Sequence, residues 1–87
     1  MLYRRWPDWW DHPLKFTRHA QRRMLQRGLD EIQVRILLEH GVSLRPQQDG
    51  ETWLVTATRM EQTWIFIIKP DLIQARIVLI TMYPLRE

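Results

Sequence analysis

Two periodicities organise the apolar positions of the chain, and the change between them falls near residue 41. Ala20 and Met24 lie four apart, the spacing that puts two side chains on one face of a helix. Thr17 is placed to cap that helix, with Phe16 before it as a staple residue. Gly28 can take the left-handed conformation that follows a helix end. Asp30, followed three residues later by Gln33, has the form of a capping box for a second helix. Ile32, Val34, Ile36, Leu37 and Leu38 give it a wide apolar stripe, and Gly41 ends it. The spacing predicts a short basic helix from residue 17 to about 27 and a second, mostly core-facing one from about 30 to 40.

After residue 41 the pattern is that of strands. Residues 42–45 fit a short edge strand closed by Pro46, and Asp49-Gly50 is a strong hairpin-turn signal. Residues 52–58 alternate, with Trp53, Val55 and Ala57 on one face and threonines mostly on the other. Residues 63–69 and 75–83 are more continuously apolar, as central strands tend to be. Pro70-Asp71 reads as the turn between them, and Pro84 as the end of the last strand. The expected fold class is α+β: two N-terminal helices packed on a three- to four-stranded antiparallel sheet. Pro7 and Pro13 interrupt Trp6, Trp9 and Trp10, so the first fifteen residues read as an aromatic lead-in rather than an element. Three exposed tryptophans would invite aggregation, so this segment is expected to lie on the domain or across a partner interface, a homodimer included. The expected organisation is a lead-in over residues 1–14 and one domain over 15–87.

Composition narrows the class. Eighty-seven residues, 45% of them hydrophobic, make one small domain and not two. The absence of cysteine excludes disulfides, Cys-ligated zinc and thiol nucleophiles. The longest apolar run, 64–68, is far short of the roughly 18 residues of a membrane span, and residues 1–8 lack the apolar stretch of a signal peptide. The expectation is a soluble, cytoplasmic domain with no membrane partner. Net charge is +3, and eleven of the 13 basic residues are arginine, which suits bidentate contact with phosphate or carboxylate. Between Asp11 and Asp30 no acid occurs, whereas Lys15, Arg18, Arg22, Arg23 and Arg27 do, with His12 and His19.

That interval holds the candidate chemistry. His19, Arg23 and Arg27, at i, i+4 and i+8, share one helix face, with Arg22 on its flank. An imidazole beside two guanidinium groups suits phosphodiester chemistry: one group moves a proton, and the others stabilise charge building on the phosphate oxygens. The alternative is a solvated basic face. Arg18 and Arg22 are further candidates for substrate contact. Arg59 either joins them across the sheet or is a hairpin charge. His12 reads as a loop residue and His40 as a cap at a helix C-terminus. The three histidines have no metal-ligand spacing, so no metal or other cofactor is expected. Trp53 and Trp64 read as core or partner-facing residues, since no basic-aromatic string of the RNA-binding kind surrounds them. A helix-turn-helix would need a basic second helix, and here the basic helix is the first.

The string Phe16-Thr-Arg-His19-Ala20-Gln-Arg-Arg23-Met24-Leu-Gln-Arg27-Gly28-Leu29 resembles the signature His-Ala-x-x-Arg-Met-x-x-Arg-Gly-[Ile/Leu] of the small bacterial proteins grouped as domain of unknown function 4258. Asp30-Glu31-Ile32-x-Val34 and Ile80-Thr81-Met82-Tyr83-Pro84 resemble that family too, as does the order of elements. The likeness covers most of residues 15–84, and only the first-helix string is specific. The tryptophan-rich segment 1–14 departs from the family pattern. The family is similar to RelE-type and BrnT-type toxins, within a wider group sharing the barnase/EndoU/colicin/RelE fold. The resemblance implies a RelE-like fold and a metal-independent ribonuclease held by an acidic antitoxin protein. It also implies a catalytic histidine at His19 and phosphate-binding arginines at Arg23 and Arg27. Thr81 and Tyr83 match positions where related proteins place polar site residues. The alternative is a non-catalytic module on the same scaffold, binding RNA or an acidic protein through the arginine face.

Overall fold

The computed structural model describes residues 6–85; residues 1–5 of the expected lead-in, and Arg86 and Glu87 of the expected domain, lie outside them. A short 3-10 turn, Asp8–Asp11, leads into β1 (Leu14–Phe16), α1 (Arg18–Gln26) and α2 (Glu31–Glu39). Four strands follow: β2 (Gly41–Pro46), β3 (Trp53–Arg59), β4 (Gln62–Asp71) and β5 (Arg76–Pro84).

Local chemistry sets the helix ends where the sequence places them. The Thr17 hydroxyl accepts the Ala20 N–H at 3.0 Å, and Gly28 follows α1 at a φ of +70°, which only glycine adopts without strain. At α2 the capping box is complete: Gln33 N–H donates to the Asp30 carboxylate at 2.8 Å, and Asp30 N–H to the Gln33 amide oxygen at 2.9 Å. His40 Nδ1 donates to the Ile36 carbonyl at 2.9 Å, capping the other end as expected.

The strands form one mixed sheet in the order β1-β5-β4-β3-β2. β2 to β5 are an antiparallel meander, while β1 pairs parallel to β5, Leu14 opposite Ile77 and Phe16 opposite Leu79. Val55 pairs with Phe66, Phe66 with Met82 and Ile68 with Leu79, so these side chains share one face. Ala20 and Met24 of α1, and Val34, Leu37 and Leu38 of α2, close the core over that face. The structure corrects the expected sheet of three or four antiparallel strands: there are five, and one is parallel. The extra strand straddles the boundary expected between lead-in and domain. Three residues carry no readable alternation, and β1 exists because β5 offers it an edge.

The tryptophans of that segment pack on the domain. Trp6 stacks on Trp10 with centroids 4.7 Å apart, and Trp9 meets Trp53 edge-on at 5.4 Å. A second correction concerns Pro70-Asp71, which lies within β4 opposite Ile77 and Arg76. β3 has already ended at the Trp53–Ile68 pair, so the missing N–H of Pro70 interrupts no ladder on that side. The turn itself follows Asp71, whose carboxylate accepts the Gln74 N–H and the Arg76 Nε–H.

The Asp49 turn is held by its carboxylate, which accepts the Glu51 and Thr52 N–H groups at 2.9 Å and the Thr52 hydroxyl at 2.6 Å. Hydrogen bonds from the Thr52 hydroxyl, the Thr52 N–H and the Glu51 N–H pull the Asp49 pKa from its usual 3.8 down to about 2. A carboxyl with a depressed folded-state pKa contributes stability that is complete above its unfolded value and lost as pH falls through the folded one. The contribution of this turn should therefore disappear between about pH 4 and 2. NMR titration of the Asp49 carboxyl should give a midpoint near 2; a midpoint at the usual value would mean that the turn bonds do not hold in solution.

Candidate functional site

β5 carries a bulge that decides what α1 can reach. Ile68 pairs with Leu79 and Ile67 with Thr81, so Ile80 is an extra residue between two ladder pairs. The Ile80 carbonyl accepts the Thr17 hydroxyl at 3.0 Å, and the Leu79 carbonyl accepts the Thr17 N–H at 3.2 Å. Thr17 thus caps α1 and pins the start of that helix to the bulge. Beyond the Phe16–Leu79 pair β1 stops, and β5 continues with no strand on that side among the described residues. His19, in the first turn of the pinned helix, there meets Thr81, with Nε2 and Oγ1 3.0 Å apart.

The expected arginine face follows from the same helix. Arg23 is one turn from His19, about 6 Å along the axis, and Arg27 two turns, about 12 Å. His19 and Arg23 can therefore address one phosphate, and Arg27 a neighbouring one. Ala20 and Met24 point inward, while His19 is exposed and Arg23 half-buried. Arg23 Nε is buried with no hydrogen-bond partner among the described residues. Arg18, Arg22 and Arg27 are exposed. Among the described residues only Lys69 and Arg76 are in ion pairs, with Glu51 and Asp71. Among the described residues, no basic side chain of α1 is therefore paired with a carboxylate.

Thr81 and Tyr83 take neighbouring positions on one face of β5, opposite Ile67 and Ile65, and Tyr83 is 38% exposed. The chain thus brings His19 to Thr81, with Tyr83 next along the strand. Arg59 is not part of this group: it ends β3, two strands from β5, and pairs with Gln62 across a hairpin. Its hairpin position is the one seen. His12 is the residue that closes the 3-10 turn, and His40 is committed to its cap. No three of the described His, Asp and Glu residues come close enough together to hold a metal ion.

Sequence reasoning missed two contributors, the second role of Thr17 and the bulge at Ile80. A capping threonine is legible, but its hydroxyl's second bond is not. Nothing in Leu79-Ile80-Thr81 distinguishes a bulged strand from a regular one. Compared with family models, curated proteins and solved structures, the chain matches none.

Proposed function

We propose that the chain is a metal-independent endoribonuclease of the toxin–antitoxin kind, similar to RelE- and BrnT-type toxins. The observation that carries this reading is the exposed His19 imidazole, 3.0 Å from Thr81 and one turn from Arg23, on a helical stretch, residues 18–27, that contains no acidic residue. Two helices leading into an antiparallel meander support a RelE-like likeness as well. His19 takes the proton of a ribose 2′-hydroxyl. The 2′-oxygen then bonds to phosphorus, the bond from phosphorus to the 5′-oxygen breaks, and a 2′,3′-cyclic phosphate is left. The departing 5′-oxygen takes its proton from solvent. Arg23 holds the reacting phosphate and its growing charge, Arg27 a neighbouring phosphate, and Arg18 and Arg22 the strand beyond. Thr81 fixes the imidazole ring, and Tyr83 borders the same strand position. Such an enzyme works where its RNA is, in the cytoplasm, with an acidic antitoxin as its restraint.

The basic face alone would also serve a non-catalytic RNA-binding module. Binding is tested by the salt dependence of affinity for single-stranded RNA. Each phosphate neutralised contributes a log–log slope of about −0.7. Arg23→Ala and Arg27→Ala should each weaken binding and flatten the slope by about that amount. Unchanged affinity and slope in both variants would remove α1 from RNA contact. Cleavage in EDTA, lost in His19→Ala, separates the enzyme from the module.

A further inference from the structure

The outer edge of β1 and the flank of α2 form a second surface that the His19 face does not use. Ile77 N–H donates to the Pro13 carbonyl at 2.8 Å, and Thr17 N–H to the Leu79 carbonyl at 3.2 Å. The odd-numbered residues of this segment thus turn their backbone to β5. By strand alternation, the N–H and C=O groups of Leu14 and Phe16 turn away from it. Among the described residues β1 is the last strand on that side of the sheet. Its four outward groups are a template for one more strand.

Beside that edge runs a groove of about 680 Å³, counting its open mouth, between Leu14 and Phe16 of β1 and Ile32, Arg35 and Ile36 of α2. Ile32 is 72% exposed there. A strand added to β1 would send every second side chain along this apolar wall, the arrangement by which extended peptides join a sheet edge. Charge selects which peptide. Lys15 stands exposed between Leu14 and Phe16, Arg35 lines the groove, and neither is in an ion pair among the described residues. Glu31 is the one acid at the groove.

We propose that this edge binds an extended segment of a partner protein, apolar at alternate positions and acidic between them. The proposal stands independently of RNA cleavage. A second copy of the chain fits poorly, because two β1 strands paired antiparallel about Lys15 set lysine directly against lysine. RNA fits poorly as well, having no peptide groups to complete a ladder and no use for an apolar wall.

A random ten-residue peptide library displayed on phage, selected against the whole protein, tests the proposal. The expected peptides alternate apolar and acidic residues, and they protect the Leu14 and Phe16 amides from hydrogen exchange. Lys15→Glu and Ile32→Asp, both at exposed positions, should each lower their affinity at least tenfold while the amide spectrum stays folded. Should either variant unfold, amide protection in the wild-type protein still locates the peptide. Enrichment of basic peptides, or equal enrichment by Lys15→Glu, overturns the proposal. So does protection confined to the opposite edge at Gly41–Pro46, or protection of Leu14 and Phe16 by self-association or by single-stranded RNA alone.

Discussion

His19→Ala should lower RNA cleavage, and growth inhibition on expression, by a factor of about 10² to 10⁴, the usual contribution of a positioned proton-transfer group. The melting temperature should fall by no more than about 8 °C. His19 is exposed, and its side chain has one hydrogen bond, to Thr81 at 3.0 Å. An exposed bond of this kind is worth no more than about 1 kcal/mol, or about 4–8 °C in a domain this small. Thr81→Val removes the same bond but keeps the imidazole, so it should cost less activity than His19→Ala and as little stability. Full activity in His19→Ala would exclude the imidazole from chemistry. A fall in melting temperature well beyond 8 °C would instead make His19 a tie between α1 and β5.

Replacing Trp9 and Trp10 together by alanine should cost about 2.5–6 kcal/mol. Both side chains are half-buried, so each gives up about half the 1.5–3 kcal/mol of a fully buried large apolar group. The edge-on contact of Trp9 with Trp53 and the stack of Trp6 on Trp10 add about 0.5–1.5 kcal/mol each. Against a total stability of about 5–15 kcal/mol this is a large share, and the melting temperature should fall by at least about 10 °C. Substitution is a cleaner test than deletion, since deletion also removes the entropy cost of ordering the segment. A shift under about 4 °C, followed by circular dichroism, would mean that the tryptophans rest on the domain without supporting it.

What the sequence revealed was chemistry acting over a few residues. The Thr17 cap, the Asp30–Gln33 box, Gly28, the His40 cap and the faces of α1 and β3 are each set by neighbours within one or two turns. What it concealed depends on partners far along the chain. β1 needs the edge of β5, more than sixty residues away, and Thr17 needs the displaced Ile80 carbonyl. The β3–β4 hairpin turns on Met60 and Glu61, at φ of 54° and 65°, where such turns favour asparagine and glycine. Pro70 misled for the opposite reason: it looks like a turn residue but stands in β4 where no β3 partner remains. The candidate site was legible as a helix face, His19, Arg23 and Arg27. Its contact with Thr81 rests on the bulge, which leaves no mark in the residues around it.

The ends left on cleaved RNA test the central claim most directly. Purified protein is incubated in EDTA with a single-stranded RNA, beside the same RNA carrying 2′-O-methyl groups. The expected result is cleavage of the first only, leaving 2′,3′-cyclic phosphate and 5′-hydroxyl ends. No cleavage, 5′-phosphate ends, or equal cleavage of the 2′-O-methyl RNA would contradict it.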